Sequence, residues 1–282
     1  MLADLHLHSR VSDGTESPAE LVRAVSAAGV TTFALTDHDT TDGWAEAAES
    51  ARALGLRMLP GIEFSTRTRD FSVHILGYLI DPNAPVLARE LEQIRESRRT
   101  RASRIVQRIS QDFDLHWDDV LEHAADGATI GRPHIADALI AKGHVVDRGE
   151  AFESILHPRA GYVEPHYAPD TVDAVRIIRE AGGVPVLAHP GTRGGDRIIP
   201  RTRLAQLVDA GLFGLEVDHP ENRPDAKPPL RALAAEFGLV VTGSSDYHGT
   251  GKANRIAECS TAPEVVEAII AAANGTPVIQ PD

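Results

Sequence analysis

The pattern of hydrophobic and polar residues divides the chain into three stretches. In the first stretch, four short apolar runs predict strands at residues 2–7, 31–36, 56–65 and 71–79. A helix follows the first strand, since Ser17 can cap it, Pro18 suits its first position and Glu20 completes a capping box. Gly29 ends this helix, and a second helix is predicted at residues 42–54.

The middle stretch is helical, and the last stretch again alternates helices with strands. From residue 84 to about 113 apolar residues recur mostly at helical spacing, and shorter helical segments follow to about residue 160. The later predicted elements are helices at 171–181, 201–210, 225–237 and 263–273 and strands at 184–188, 213–217 and 239–243. This alternation indicates a mostly parallel sheet, either a barrel or a doubly wound sheet, and the helical middle indicates an insertion into it.

The composition narrows the possible classes of function. The chain has 282 residues, a formal net charge of −13 and 5% aromatic residues. These values argue against a general DNA-coating protein, because non-specific binding needs a basic surface. No apolar run reaches the roughly 18 residues of a membrane-spanning helix, and the amino terminus lacks the basic region of a signal peptide. The single cysteine, Cys259, cannot form an internal disulfide, so we expect a cytoplasmic protein without a membrane partner.

Histidines and acids gather where the predicted strands end. His6 and His8 are two residues apart on the first predicted strand, so their side chains share one face. Glu63 lies in an apolar run, where a charge is costly unless it is paired or bound to a metal. The other candidates at or near strand ends are Asp13, His38, His74, His189, Asp246 and His248. One zinc ion takes only about four ligands, so this set predicts two or three Zn, Mn or Fe ions that share a bridging carboxylate.

Taken in order, these motifs resemble those of the PHP (polymerase and histidinol phosphatase) superfamily. The matching segments are Asp4–Ser9, Thr36–Asp39, Gly61–Glu63, His74, Ala188–Pro190 and Ser245–His248. The resemblance implies a distorted seven-stranded β/α barrel with a multinuclear metal centre at the carboxyl ends of its strands. It further implies that residues 1–83 and 166–282 form the barrel, while residues 84–165 form a helical insertion domain that contributes to the substrate pocket.

The resemblance also assigns the ligands to individual ions by position. The three implied sets are His6, His8, Glu63 and Asp246; Glu63, His74 and His189; and Asp13, His38 and His248. Glu63 would bridge the first two ions. Asp13 stands where relatives have histidine, and a carboxylate favours Mn or Fe over Zn at the third position.

Within the superfamily, the chain most resembles bacterial proteins that remove the 3′-phosphate from nucleoside 3′,5′-bisphosphates, such as adenosine 3′,5′-bisphosphate, giving AMP and phosphate. The segment Gly131–Ala136 supports this, because in that sub-group it lies on the insertion and faces the metals. Arg132 would grip a phosphate group through paired hydrogen bonds, with His134 assisting. We expect a metal-bound hydroxide to attack the phosphorus in line. Asp246 and His248 are candidates to protonate the leaving oxygen, although metal ligands are poor acids.

Three other functions remain open. A 5′-to-3′ exonuclease acting on short RNA or DNA would use the same metals, although the acidic charge and few aromatic residues argue against long strands. A histidinol-phosphate phosphatase is disfavoured by the Gly131–Ala136 segment, and a non-catalytic metal-binding accessory protein by the complete ligand set. We expect a monomer whose partner is a small phosphorylated nucleotide or a short oligonucleotide, and His219, near a strand end, is a candidate substrate contact.

A run of arginines in the middle stretch has two interpretations. Between residues 89 and 108 there are seven arginines and three glutamates, in a chain that is acidic as a whole. The run could attract phosphate or nucleic acid, or it could form a solvated helix face held by pairs of opposite charge. We favour the solvated face.

Overall fold

The computed structural model describes residues 1–68, 71–192 and 200–281. The strands found in these ranges are β1 Ala3–Leu7, β2 Thr32–Leu35, β3 Arg57–Thr68, β4 Phe71–Tyr78, β5 Val184–Leu187, β6 Gly214–Asp218 and β7 Val240–Gly243. The helices are α1 Pro18–Ala27, α2 Trp44–Ala53, α3 Pro85–Ile109, α4 Trp117–Leu121, α5 Arg132–Ala141, α6 Arg148–Glu153, α7 Thr171–Glu180, α8 Arg201–Asp209, α9 Lys227–Phe237 and α10 Pro263–Ala272. A short 3-10 helix covers Pro158–Ala160.

The strands in the described part of the chain form one sheet in the order β1 to β7. Neighbouring strands run parallel, except that β4 is antiparallel to both β3 and β5. The segment after β7 returns to β1, where the Asp246 N–H donates to the His6 carbonyl at 2.9 Å and the His8 N–H donates to the Tyr247 carbonyl at 2.9 Å. These contacts nearly close the sheet and confirm the predicted distorted seven-stranded barrel.

The predicted start of α1 shows how local sequence fixes an element of the barrel. The Glu20 N–H donates to the Ser17 hydroxyl at 3.2 Å, and the Ser17 N–H donates to the Glu20 carboxylate at 2.8 Å. Pro18 occupies the first helical position, and Gly29 follows the helix with a φ of 76°, a left-handed conformation that glycine adopts without strain. The helix turns Leu21, among others, into the core beside β1 and β2.

Helix α3 joins two hydrophobic cores. Its first half contributes Leu87, Leu91 and Ile94 to the cluster formed with β3, β4 and α7. Its second half contributes Ile105 and Ile109, among others, to a separate cluster formed with α4, α5 and α6. The helical middle stretch therefore has apolar packing of its own, while the domain boundaries at residues 84 and 165 stay a prediction. No helix in the described ranges is long and apolar enough to cross a membrane.

Candidate metal centre

Strand β1 presents histidines to the centre of the barrel. His6 and His8 share one face and are fully buried, while Leu5 and Leu7 between and beside them pack into the hydrophobic core. Asp4 lies on the histidine face and accepts hydrogen bonds from the Ser245 N–H at 3.0 Å and the Ala257 N–H at 2.8 Å. Asp4 thus holds the segment after β7 against β1. Because Asp246 directly follows Ser245 in this segment, it lies beside His6 and His8.

Four side chains converge on one position at this place. The Glu63 Oε2 lies 3.3 Å from His6 Nε2 and 3.1 Å from His8 Nε2. The Asp246 Oδ1 lies 3.4 Å and 3.3 Å from the same two nitrogens. All four ligand atoms lie within 4.8 Å of one another, so a single ion could contact each of them. This group is the same set that the family resemblance assigns to the first ion.

Glu63 also connects this group to a second one. Its Oε1 lies 2.6 Å from His74 Nδ1 and 2.9 Å from His189 Nε2, and its Oε2 lies 3.2 Å from His38 Nδ1. Burial alone would raise the pKa of Glu63, but the surrounding histidines hold that pKa well below its usual range. A charged carboxylate whose two oxygens face different imidazoles has the geometry of a bridging ligand.

Asp13 belongs to a third group, on the side of the barrel mouth near the middle stretch. Its Oδ1 lies 3.2 Å from His248 Nε2 and 3.6 Å from His8 Nδ1, and its Oδ2 lies 3.7 Å from His38 Nε2. These four residues can place one ligand atom each within 4.8 Å of the others. The structure thus brings all nine sequence-predicted ligands into one connected cluster.

The buried polar atoms that lack hydrogen-bond partners indicate whether metal ions would fit the cluster. Five of its buried nitrogens and oxygens have no hydrogen-bond partner in the described structure: His6 Nε2, His8 Nε2, His38 Nδ1, His219 Nε2 and Asp246 Oδ1. Buried polar atoms without partners are rare, and these five point into groups of imidazole and carboxylate. Divalent cations would satisfy such atoms, and the mixed nitrogen and oxygen donors suit Zn, Mn and Fe. The residues present therefore fit a multinuclear centre.

The backbone around the cluster is locally strained. Asp39, His189 and Asp246 have φ angles of 55°, 30° and 56°, in the left-handed region that residues other than glycine rarely adopt. Each of them follows a strand and is itself a predicted ligand or the neighbour of one. Such strain persists only where the surroundings enforce it, and it is common at functional sites.

Two buried carboxylates, Asp37 and Asp39, hold the loop that carries His38. Asp37 accepts hydrogen bonds from the N–H and hydroxyl of Ser9, at 2.8 and 2.6 Å, and from the Ser12 hydroxyl at 2.7 Å. Asp39 accepts from the N–H and hydroxyl of Ser65, each at 2.7 Å. Sequence reasoning named both acids within a motif without giving them a role, and the structure places them on either side of His38.

Glu216 supports the cluster in a way that sequence reasoning missed, since the sequence indicated at most a substrate contact for the strand end at residues 216–219. It is fully buried and accepts hydrogen bonds from His6 Nδ1 at 3.0 Å and from the His189 N–H at 2.8 Å. A carboxylate on the far nitrogen of a metal-ligating histidine fixes the ring's tautomer and orientation. The sequence did contain the sign that identified Glu63, because Glu216 is also an acid between the apolar residues of a strand.

Lys252 is a second residue that sequence reasoning missed. Its ammonium group lies 2.5 Å from Asp246 Oδ2 and 3.3 Å from Glu221 Oε1. It therefore holds the carboxylate oxygen of Asp246 that faces away from His6 and His8. Nothing in the spacing of the sequence pointed to it, because its partners come from separate loops.

The predicted substrate contacts lie in two different places. Arg132 begins α5, with its guanidinium carbon 5.3 Å from the centre of the Phe152 ring. His134 is buried and accepts a hydrogen bond from the Gly131 N–H at 3.1 Å. His219 is fully buried, with its Nε2 3.4 Å from Asp246 Oδ2. His219 therefore lies beside Asp246 at the cluster, and its contact with substrate stays a prediction.

Two neighbouring cavities open onto the cluster. The first, of about 320 Å³, is lined by Asp13, Glu63, Asp246 and other members of the cluster. The second, of about 860 Å³, extends between α5, α6 and the loop at residues 250–254. Both are lined by Asp13, Glu221, His248 and Lys252, so a ligand at the cluster could extend toward the middle stretch.

Comparisons with known proteins agree with this geometry. Residues 4–131 match the model of the PHP domain family. The chain is 36% identical over 260 residues to the 3′,5′-nucleoside bisphosphate phosphatase of Chromobacterium violaceum, covering 89% of each chain. It is 32% identical to the 5′-3′ exoribonuclease Rnm of Escherichia coli, covering 88% of this chain and 85% of the relative. The crystal structure of a presumed metal-dependent phosphoesterase from Bifidobacterium adolescentis has a TM-score of 0.94 and 39% identity, with 96% of each chain covered.

Proposed function

The chain belongs to the PHP domain family and is a metal-dependent phosphoesterase, and from this premise we propose that it removes the 3′-phosphate from nucleoside 3′,5′-bisphosphates. The observation that carries the proposal is the cluster around Glu63, in which all nine predicted ligands lie together beside an adjoining cavity. The substrate class rests on the similarity to the Chromobacterium phosphatase. The predicted cytoplasmic location and monomeric state are part of this proposal.

The ligand sets that we propose follow the three groups of the cluster. His6, His8, Glu63 and Asp246 would hold one ion. The remaining proposed ligands are His74 and His189 for a second ion that shares Glu63, and Asp13, His38 and His248 for a third. When bound, divalent ions at such positions activate water as a nucleophile and neutralise charge on the transferring phosphoryl group. The Asp13 carboxylate favours Mn or Fe at the third position.

The chain's own residues would prepare this site for catalysis. Glu216 orients the His6 ring, and Lys252 fixes the outer oxygen of Asp246, so both ligands are held before substrate binds. Arg132 would donate hydrogen bonds to phosphate oxygens, with His134 assisting from the same turn of α5. Asp246 and His248 are buried within the ligand groups and are weak candidates for the proton donor to the leaving oxygen.

A second candidate function is 5′-to-3′ exonuclease activity on short oligonucleotides. Two observations favour it: the similarity to the Escherichia coli exoribonuclease, and the larger cavity that continues from the cluster toward α5 and α6. The same ligands would serve this reaction, which breaks a phosphodiester bond in place of a phosphomonoester bond.

Phosphate and nucleotide release distinguishes these activities. Purified protein supplied with Mn is expected to release phosphate from adenosine 3′,5′-bisphosphate faster than it releases a nucleotide from a 5′-phosphorylated dinucleotide. The reverse order would favour the exonuclease. His8→Ala should abolish both activities, whereas His116→Ala, which changes an exposed histidine outside the cluster, should retain them. Absence of product from every nucleotide would contradict the proposal.

A further inference from the structure

The main chain of Asp13 is held by an arginine from the helical middle stretch. Arg148, at the start of α6, donates a hydrogen bond from its Nη1 to the Asp13 backbone carbonyl at 3.0 Å. No backbone N–H in the described ranges donates to this carbonyl. Because the Asp13 carboxylate belongs to the third ligand group, Arg148 contacts the main chain of a proposed metal ligand without reaching the ligand atoms themselves.

A carboxylate on α5 fixes the Arg148 guanidinium in this position. Arg148 Nε and Nη2 donate to the two carboxylate oxygens of Asp137 at 2.7 and 2.6 Å, a paired geometry that sets both the place and the plane of the guanidinium. The side chains of Arg148 and Asp137 are only 12% and 24% exposed. Burial would lower the pKa of Arg148, but Asp137, together with the charge of Asp13, holds that pKa above its usual value. The guanidinium is therefore a fixed and charged donor.

The loop after β7 leaves room for this guanidinium at Gly251. A Cβ atom at Gly251 would lie 2.2 Å from Arg148 Nη1 and 2.9 Å from its Cζ, well inside van der Waals contact. Any side chain at this position would have to displace the nitrogen that donates to Asp13. The absence of a side chain at residue 251 thus permits the contact between Arg148 and Asp13.

The segment that carries Asp13 has further main-chain contacts on both sides of it. The Thr129 N–H, from the middle stretch, donates to the Val11 carbonyl at 3.1 Å. The Thr15 N–H donates to the carbonyl of His248, another member of the third group, at 3.2 Å. The main chain before and after Asp13 is therefore held, and Arg148 supplies the contact at Asp13 itself.

We propose that Arg148 is a positioning residue for the third ion. It holds the main chain of Asp13 so that the carboxylate faces the other ligands of that group, and Asp137 keeps the guanidinium in place. A side chain that orients a ligand without touching the ion typically contributes 10- to 100-fold to metal affinity. Arg148, Asp137 and Asp13 also line the larger cavity, so this contact joins the wall of the proposed substrate pocket to the ion. The inference rests on the proposed function, because it assumes that Asp13 ligates an ion.

Titration of Mn into the metal-free protein, followed by calorimetry, measures the contribution of Arg148. Asp13→Ala identifies the third ion, because Asp13 belongs to that ligand group alone. Arg148→Met is expected to weaken the binding of the same ion by about 10- to 100-fold and to leave the other ions within about twofold of wild type. Arg57→Met is the matched control, since Arg57 also donates two hydrogen bonds to one carboxylate, that of Glu267, but outside the cluster. It should leave the affinity for every ion unchanged.

Two outcomes of this titration separate the inference from the proposed function. If Arg148→Met binds the ion that Asp13→Ala loses as tightly as wild type does, the positioning role is wrong, while the proposed ligands and reaction stand. If Asp13→Ala itself retains every ion, the assignment of Asp13 as a ligand fails and the role of Arg148 fails with it.

The dependence of activity on Mn distinguishes positioning from a general structural role. Arg148→Met should need about 10- to 100-fold more Mn for half-maximal release of phosphate from adenosine 3′,5′-bisphosphate, with kcat at saturating Mn close to that of wild type. Arg148→Lys keeps a charged donor without the planar fork and is expected to need an intermediate Mn concentration. A kcat that stays low at saturating Mn would overturn the positioning role.

Gly251→Ala tests the same contact from the side of the barrel. The added methyl group removes no hydrogen-bonding group but takes the place of Arg148 Nη1, so Mn affinity should fall as it does in Arg148→Met. Because both changes break one contact, the double variant should lose about as much affinity as the more severe single variant, and losses that multiply would overturn the inference. Circular dichroism checks that each metal-free variant is folded. If Arg148→Met is not, Asp137→Asn, which releases the guanidinium without removing it, is tested in its place with the same expectations.

Discussion

The ion pair between Arg98 and Asp39 should be a main attachment between α3 and the barrel mouth. Asp39 is fully buried, and the Arg98 guanidinium contacts its carboxylate and the Ser65 hydroxyl. Replacing Arg98 with Met keeps the length of the side chain and removes its charge and hydrogen bonds. The Asp39 carboxylate then remains buried with only the two hydrogen bonds from Ser65.

The size of the effect follows from what remains around Asp39. Removal of one partner of a buried ion pair costs about 3–5 kcal/mol, because the other charge is left without compensation. Since Ser65 continues to donate two hydrogen bonds to Asp39, we expect the lower end, about 3 kcal/mol, for Arg98→Met. Asp39→Asn removes the charge that Arg98→Met leaves unpaired. The double variant should therefore lose less free energy of unfolding than the two single variants lose together, by about 1–3 kcal/mol.

Urea unfolding of the metal-free protein, followed by circular dichroism, measures these differences. Arg99→Met is the control, and an exposed substitution of this kind should change the free energy of unfolding by less than about 0.5 kcal/mol. Two results would refute the reasoning: a loss below about 1 kcal/mol for Arg98→Met, or additivity of the two changes within about 0.5 kcal/mol. Either result would mean that the buried pair does not stabilise the junction between α3 and the barrel.

Three further predictions concern the metal centre and the phosphate contact. Chelation should lower the melting temperature by several degrees, because ions present at about a thousandfold excess over Kd contribute about 4 kcal/mol, and an unchanged melting curve would argue against resident ions. Metal affinity should rise with pH: burial lowers the pKa of His8, but Asp246 and Glu63 together bring it to about 9, so below that pH binding must expel a proton. Calorimetry in buffers of different ionisation enthalpy measures this release, and a pH-independent affinity between about pH 6 and 9 would contradict the assignment of His8 as a ligand. Arg132→Ala should weaken the binding of adenosine 3′,5′-bisphosphate about tenfold, and unchanged binding would remove Arg132 from the phosphate contacts.

The sequence predicted the elements of the barrel more successfully than the direction of its strands. The helix at Ser17 follows from local chemistry alone, and the structure reproduces its capping box. The expectation of a mostly parallel sheet overlooked β4, which is antiparallel to both of its neighbours. A parallel pair needs a connection of about a dozen residues or more, whereas Thr68 and Phe71 are separated by two residues. The short connection therefore already indicated a hairpin.

The candidate ligands could be grouped from the sequence because they lie in strands or in the segments that follow them, and the fold brings these places to a common edge. His6 and Asp246 are far apart in the sequence, yet the fold places His6 Nε2 3.4 Å from Asp246 Oδ1. The supporting residues are harder to predict, since Glu216 and Lys252 act through side-chain contacts that depend on the position of other loops. Spacing along the sequence identifies which residues lie at the same edge of the sheet. It does not identify which other side chains hold those residues in place.

The arginines of α3 show that helical periodicity also applies to charged residues. The buried positions of the helix form one stripe, in which each position has another three or four residues away: 87, 91, 94, 98, 101, 102, 105, 106 and 109. Arg98 and Arg101 occupy this stripe, whereas Arg99 lies outside it. Counting the charges of the run as a group concealed this difference, because the sum treats a solvated cation and a buried one alike. The position of each arginine relative to the apolar stripe of α3 distinguishes the buried cations from the solvated ones. A cation within this stripe is costly to bury unless it has a partner, and that partner must come from another part of the chain or from a ligand. For Arg98 that partner is Asp39, whereas the Nε of Arg101 has no hydrogen-bond partner in the described structure.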